Sequence, residues 1–119
     1  MRDGPHRSDV VLVRFEPTVG REIRKTRPAV VVSNNVACRF DAVVQVVPLT
    51  AVPNRTLRPY EAMVQSASSG LAKPSRAVAN QIRTVARQRL GRRLGQLTEN
   101  ETEALDRAVA IQLGLRREP

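Results

Sequence analysis

The stretch Lys25-Thr26-Arg27-Pro28-Ala29-Val30-Val31-Val32-Ser33-Asn34 decides the fold, because it predicts a buried strand that begins at a proline. Proline fixes its own φ angle and favours an extended backbone at the residue before it. The valine run that follows is typical of a strand covered on both faces. We therefore expect Arg27 on a stiff backbone, where a charged loop meets the strand.

A second apolar run, Val46-Val47-Pro48-Leu49-Thr50, also contains a proline and brings a hydroxyl group to the end of a strand. A guanidinium pairs with phosphate oxygens through two parallel hydrogen bonds, and a hydroxyl can donate a third. Arg27 and Thr50 are therefore the first candidates for a phosphodiester-binding site. From the residues alone, a solvated arginine and an ordinary strand-end threonine remain open alternatives, since charged side chains mostly face water.

Apolar and β-branched runs predict five or six short strands, of which the run at 92–97 is the optional last one. They cover residues 10–15, 29–33, 42–49, 59–65, 76–85 and 92–97. The strand at 59–65 is expected at a sheet edge because it begins with Pro59. One helical turn is expected within residues 34–41.

The clearest helix begins after Thr98, with Glu101 three residues further on in the capping-box pattern, and Gly114 can end it. Strands followed by one packed helix predict a β-rich α+β domain. We expect one domain over residues 1–119, with a loose N-terminus at about residues 1–7.

The chain is strongly basic: 18 Arg and 2 Lys against 11 acidic residues give a formal net charge of +9. This excess suggests a polyanionic partner, most often nucleic acid. A genome that uses Arg wherever Lys would serve is an alternative source of the arginine preference. With three aromatic residues and no Trp, binding to RNA would depend on phosphate contacts, arginine stacking and hydrogen bonds rather than on aromatic platforms.

Several classes of function are not favoured by the sequence. His6 is the only histidine, which excludes a pair of histidines as acid and base, and Cys38 is the only cysteine. Without a Cys/His cluster we expect neither a metal nor another cofactor. A single cysteine suits a reducing compartment, and neither a membrane-spanning run nor a signal-peptide pattern is present, so we expect a cytoplasmic protein.

Short motifs occur in a fixed order from about residue 8 to residue 115. They are Ser8-Asp9-Val10-Val11-Leu12-Val13, Pro17-Thr18-Val19-Gly20-Arg21-Glu22, Lys25-Thr26-Arg27-Pro28, Val47-Pro48-Leu49-Thr50, Gln81-Ile82-Arg83-Thr84-Val85, Arg89-Leu90 and Leu94-Gly95-Gln96-Leu97. In these motifs the sequence resembles the MazF/PemK-type toxins of type II toxin–antitoxin systems. The resemblance implies a small SH3-like barrel of five to seven strands with a C-terminal helix. It also implies a homodimer, metal-independent and sequence-selective cleavage of single-stranded RNA through its 2′-hydroxyl, and neutralisation by an acidic antitoxin.

The same resemblance assigns roles to individual residues. It implies that Arg27 is the principal catalytic residue, with Thr50 as its partner, and that Glu22 helps to accept the 2′-proton. A solvated carboxylate or a salt bridge to Arg21 or Arg24 is an equally open reading of Glu22. The residues expected to bind RNA are Arg21, Arg24, Lys25, Asn80, Gln81 and Arg83.

Asn80 departs from the family pattern, since relatives commonly have a carboxylate there and an amide cannot act as a base. This departure leaves a non-catalytic basic barrel, which holds RNA or an acidic protein, as the alternative function. A gyrase-targeting toxin of the same fold is the third possibility. It ranks last because the chain ends Leu113-Gly114-Leu115-Arg116-Arg117-Glu118-Pro119, without the tryptophan of those toxins.

Overall fold

The computed structural model describes residues 4–15 and 25–117. The described strands are β1 (Asp9–Arg14), β2 (Thr26–Val31), β3 (Val43–Ala51), β4 (Glu61–Val64), β5 (Ser75–Val78), β6 (Arg83–Ala86) and β7 (Leu90–Gln96). The helices are α1 (Asn35–Phe40) and α2 (Glu99–Gln112), with 3₁₀ turns at Ala67–Ser69, Ala79–Gln81 and Arg87–Arg89. In this part of the chain no helix has the length and apolar character needed to cross a membrane.

The strands form one antiparallel sheet in the order β4-β5-β3-β2-β1-β7, with β6 pairing to β3 beside this path. The α+β class, the C-terminal helix and the edge position of the strand after Pro59 are confirmed. The predicted SH3-like barrel is an open sheet in the described residues, because the end strands β4 and β7 do not pair with each other.

The segment after β4 crosses β7 at the place where a barrel would close. Ser68 Oγ donates a hydrogen bond of 3.1 Å to the Gln96 carbonyl, and a Cβ added to Gly95 would lie 2.1 Å from the Ser68 carbonyl oxygen. Gly70, with a φ of +74°, turns the chain at this crossing. The close approach of the two backbones therefore requires glycine at position 95.

Strand β3 changes partners along its length. Residues 43–46 pair with β6, whereas residues 49–51 pair with β5. The 3₁₀ turn Ala79–Gln81 joins those partners and takes up the register shift of three residues between them. The single strand expected at 76–85 is therefore wrong. One physical reason is Pro48, which lies between the two ladders and has no N–H group to donate.

The sheet buries side chains on both faces, in two hydrophobic clusters. Below α2, one cluster contains Val10, Val30, Val47, Leu49 and Leu105 among others. On the opposite face, the second contains Val11, Val13, Phe15, Ala29, Val31, Cys38, Val44, Val46 and Val85. Since consecutive residues of a strand point to opposite faces, these clusters confirm that the valine run after Pro28 is covered on both faces.

Helix α2 has both predicted ends. Thr98 Oγ1 accepts from the Glu101 N–H at 3.1 Å, and Glu101 Oε1 accepts from the Thr98 N–H at 3.1 Å, which completes the capping box. At the other end Gly114 has a φ of +73°, and the Leu115 N–H donates to the Ala110 carbonyl at 2.8 Å. This is the Schellman arrangement, in which glycine allows the left-handed residue.

Glu101→Ala should lower the free energy of unfolding by about 2–4 kcal/mol, because it removes the capping box and leaves several donors without their acceptor. Besides capping α2, the Glu101 carboxylate accepts from the Gln65 N–H (2.9 Å), the Ser66 N–H (3.0 Å) and Ser66 Oγ (2.6 Å). Urea denaturation measures the loss, and Glu103→Ala, at an exposed position of the same helix, is the matched control with little expected effect.

The destabilisation caused by Glu101→Ala should depend on pH, because the Glu101 carboxylate can be protonated. Although burial raises the pKa of Glu101, hydrogen bonds from Ser66, Thr98 and Gln65 outweigh it, and the net shift is downward. A lowered pKa stabilises the fold above the ordinary Glu pKa, and this contribution is lost as the pH falls towards the folded-state value. The difference between wild type and Glu101→Ala should therefore shrink on acidification; a constant difference would contradict this account.

Candidate active site

Arg27 and Thr50 lie where the ladder between β2 and β3 ends. The last registered pair at this end is Ala29 with Pro48. The ladder stops there because Pro28, the next residue of β2 whose backbone faces β3, has no N–H group to donate. Continuing the same antiparallel register by two residues sets Arg27 opposite Thr50, beyond the last pair. This register places the two residues predicted to be catalytic on adjacent strands.

A row of side chains crosses one face of the sheet at this level. On β3, Thr50 pairs with Arg76 of β5, and on β2, Arg27 pairs with Val13 of β1. Directly opposed residues of antiparallel strands point to the same face, with Cβ atoms about 4.5–5.5 Å apart. Arg27, Thr50 and Arg76 therefore share one face, with an arginine on each side of the threonine.

A pocket of about 240 Å³ opens beside Thr50. It is lined by Thr50, Arg55, Tyr60, Glu61, Arg76, Val78, Asn80 and Gln81. Asn80 and Gln81 stand on the 3₁₀ turn that separates β5 from β6, so the break in the expected strand is what carries both amides to the pocket. Thr50, Asn80 and Gln81, three of the site residues predicted from the sequence, therefore lie around one pocket.

Two other predicted RNA-binding residues lie outside the lining of that pocket. Lys25 is exposed and precedes β2 with a φ of +65°, an uncommon value for a residue with a side chain. Arg83 pairs with Val46 across β3 and β6, and its guanidinium carbon lies 5.3 Å from the centroid of the buried Phe15 ring. Arg21, Glu22 and Arg24 lie outside the described residues.

The structure adds an ionic cluster that the motifs did not reveal. Glu61, whose side chain is 2% exposed, forms ion pairs with Arg55 at 2.9 Å and with Arg76. Arg55 contacts both carboxylate oxygens, and the Arg58 N–H donates to Oε1 at 2.7 Å. The available sequence signal was that Glu61 is the only acidic residue between Asp41 and Glu99.

The surroundings of Glu61 decide its chemistry. Burial alone would raise its pKa, but the hydrogen bonds from Arg55, the Arg58 N–H and Arg76 lower the pKa to about 2. At neutral pH this carboxylate is ionised, and its oxygens already accept four hydrogen bonds. A base of such low proton affinity cannot efficiently take a proton from a hydroxyl. Glu61 is therefore a structural anion of the pocket rather than a base.

The remaining nucleophilic and metal-binding candidates have other environments. Cys38 is buried, its thiol donates to the Ser33 carbonyl at 3.5 Å, and burial raises its pKa. The backbone N–H of His6 donates to the Asp9 carboxylate at 2.8 Å. Within residues 4–15 and 25–117, no three His, Cys, Asp or Glu side chains come together in a group that could hold a metal ion.

Comparison with known proteins places this geometry in a family. Residues 6–113 match the family of PemK-like, MazF-like toxins of type II toxin–antitoxin systems. The chain belongs to this toxin family. A relative from Mycobacterium tuberculosis (strain ATCC 25618 / H37Rv), endoribonuclease MazF9, is 34% identical over 114 residues, covering 92% of this chain and 96% of the relative. The resemblance inferred from the sequence motifs is thereby confirmed.

Solved structures of MazF-type proteins share the fold. An endoribonuclease in complex with its cognate antitoxin, from a mycobacterial species, superposes with a TM-score of 0.76 at 27% identity, over 94% of this chain and 97% of its own. MazF from Deinococcus radiodurans superposes with a TM-score of 0.79 at 21% identity, over 95% and 99% of the two chains. At that lower identity the second comparison supports the fold alone.

Proposed function

We propose that this toxin is a metal-independent, sequence-selective endoribonuclease that cleaves single-stranded RNA and so inhibits translation. The observation that carries the proposal is the placement of Arg27 and Thr50 at the end of the β2–β3 ladder, beside the pocket that Asn80 and Gln81 line. The similar protein of M. tuberculosis is named an endoribonuclease, which supports the same activity here. We also propose that this toxin acts in the cytoplasm, where RNA is translated.

The proposed reaction uses the 2′-hydroxyl of the substrate as the nucleophile. A bond forms between the 2′-oxygen and phosphorus, and the bond from phosphorus to the 5′-oxygen breaks. The products are a 2′,3′-cyclic phosphate and a 5′-hydroxyl, with one proton leaving the nucleophile and one reaching the leaving oxygen. Arg27 stabilises the extra negative charge on the non-bridging oxygens, while Thr50 donates a hydrogen bond to one of them.

The pocket beside Thr50 offers poor acceptors for the 2′-proton. Glu61 has a pKa of about 2 and fully occupied oxygens, and Asn80 carries an amide. Arginine is a poor base in water because its pKa exceeds about 12. We assign the proton-accepting role to Glu22, as the family resemblance implies; Glu22 precedes β2 in the sequence.

Glu22→Gln should lower the rate of cleavage by about 10²-fold, within the usual range for a lost general base. It should also remove the acidic limb of the pH–rate profile, because that limb reports protonation of the base. Steady-state rates between pH 4 and 8 measure both effects. Glu16→Gln, at the nearest acidic residue earlier in the sequence, is the control; an unchanged profile in Glu22→Gln would assign the proton to another group.

The activity itself is tested with a long RNA of mixed sequence in EDTA, mapping the new 5′-hydroxyl ends. We expect discrete cuts that share a short motif. A copy of the same RNA with 2′-O-methyl groups should stay intact, because it lacks the nucleophile. An unmodified RNA that stays intact at high protein concentration would remove the nuclease proposal and leave a basic binding protein.

An acidic antitoxin is the proposed protein partner. A structurally similar mycobacterial endoribonuclease was solved in complex with its cognate antitoxin, and the net charge of +9 on this chain favours an acidic segment. Such a segment would compete with RNA for the same positive potential.

We also propose a homodimer, as the resemblance implies. Two of the exposed large apolar side chains are Leu113 and Leu115, 53% and 78% exposed at the end of α2. Contiguous exposed apolar patches often mark interfaces, and we propose that these two side chains belong to one. Replacing both by glutamate should shift the chain from dimer to monomer in light scattering. Val52→Glu, at another exposed apolar position, is the control; a wild-type monomer would exclude this interface.

A further inference from the structure

We propose that Arg76 is a further RNA-binding guanidinium of this site, which contacts the phosphate next to the scissile one, and that Glu61 is the positioning residue that holds it there. This inference rests on the proposed function, because it extends the same RNA site. In this proposal the ionic cluster beside Thr50, which has no part in the proposed reaction, orients an RNA-binding side chain.

The position of Arg76 is fixed by the sheet. Its backbone pairs with Thr50, so its side chain leaves β5 on the face of the sheet that also carries Arg27. Arg27 and Arg76 stand on strands that flank β3, and two inter-strand spacings separate them by about 10 Å. With Thr50 between them, the two guanidiniums can bind neighbouring phosphates of one strand.

The orientation of Arg76 is fixed by its hydrogen bonds. Its Nε donates to the Ala51 carbonyl at 3.0 Å, and Nη1 donates to Glu61 Oε2. A guanidinium has five N–H groups, so these two bonds leave others for a ligand in the pocket that Arg76 lines. Its side chain is only 20% exposed. Because the rotamer is already ordered, binding would lose less side-chain entropy.

The charge balance of the cluster favours an anionic ligand. Glu61 is held by Arg55 through both oxygens, at 2.9 and 3.1 Å, and also by the Arg58 N–H. One carboxylate between two guanidiniums leaves a net charge of +1. The carboxylate is 2% exposed, whereas Arg55 and Arg76 are 35% and 20% exposed. The side that meets solvent is therefore the positive one, as a phosphate contact requires.

Arg76→Ala tests the phosphate contact through the salt dependence of RNA binding. The probe is a 20-nucleotide, mixed-sequence 2′-O-methyl RNA in EDTA, so that binding is measured without cleavage. Each phosphate contact on a single strand contributes about 0.7 to the slope of log K against log salt. We expect Arg76→Ala to reduce the slope by about that amount, and Arg116→Ala, an exposed arginine after α2, to leave it unchanged.

Glu61→Gln tests the positioning role, because two explanations predict opposite signs. If Glu61 only lowered the positive potential of the site, Glu61→Gln would tighten RNA binding. The cleavage rate would then stay the same or rise. If Glu61 positions Arg76, cleavage should fall about tenfold or more although the site has become more positive. Arg76→Lys keeps the charge but loses the two-pronged hydrogen bonding, so we expect it to keep the salt slope and lose cleavage efficiency.

The outcomes separate this inference from the proposed function. An Arg76→Ala slope and cleavage rate equal to wild type would overturn the inference while leaving the nuclease intact. A changed cleavage motif in Arg76→Ala with an unchanged slope would mean that Arg76 contacts a base, and would also overturn it. If wild type does not cleave RNA, the proposed function fails, yet the slope still decides whether Arg76 contacts phosphate.

Urea unfolding of each variant identifies those that fail to fold. If Glu61→Gln fails to fold, the Arg76 variants still test the proposal.

Discussion

Arg27→Ala should lower the rate of RNA cleavage in EDTA by about 10³-fold or more. Removing one preorganised donor to a developing oxyanion typically lowers the rate by about 10²–10³-fold, and Arg27 supplies a full positive charge as well. Lysine restores the charge without the planar fork, so Arg27→Lys should recover only part of the rate. Single-turnover cleavage of the mapped motif measures both variants.

Arg14→Ala is the matched control for this prediction. Arg14 is an exposed arginine whose partner across β1 and β2 is Thr26, the residue before Arg27. Its side chain therefore leaves the opposite face of the sheet from Arg27, and its loss changes the net charge equally. We expect nearly wild-type cleavage from Arg14→Ala. If both variants lost the same activity, the effect would be one of overall charge, and the catalytic assignment of Arg27 would be wrong.

The strands and the last helix were predictable because their signals are local. The valine run after Pro28 and the capping box at Thr98 and Glu101 depend on residues within a few positions of each other. The break at residues 79–81 depends instead on β3, which is distant in sequence and changes its register by three residues. Alternation along residues 76–85 carries no information about that partner, so the sequence predicts one strand where two occur.

The same distinction applies to the site. Arg27 and Thr50 could be predicted as site residues because each lies within two positions of a proline in an apolar strand and because they match motifs of the family. Glu61 was missed because its partners are set by folding: Arg76 is 15 residues away and reaches it only through the pairing of β4 with β5. The absence of any other acid between Asp41 and Glu99 is a weak signal. A buried acidic residue is expected to form an ion pair, but the sequence does not show which basic residues are its partners.

Gly95→Ala should lower the free energy of unfolding by about 3 kcal/mol or more. Its Cβ would lie 2.1 Å from the Ser68 carbonyl oxygen and 2.5 Å from the Ser69 carbonyl carbon. These are backbone atoms, so relief requires the crossing segment to move off β7. The change corresponds to a loss of roughly 10 °C in Tm for a domain of this size.

Gly91→Ala is the control on the same strand, where the added Cβ would meet the Leu12 carbonyl oxygen at 3.3 Å. A contact of that length needs only a small adjustment, so we expect a loss within about 1 kcal/mol. Equal effects of the two substitutions would mean that the crossing segment is not held closely against β7.

The crossing segment covers the edge of β7, whereas Thr50 lies on β3, which is flanked by β2 and β5. Gly95→Ala should therefore keep its cleavage rate per folded molecule at low temperature, which separates the closure of the sheet from the chemistry of the site.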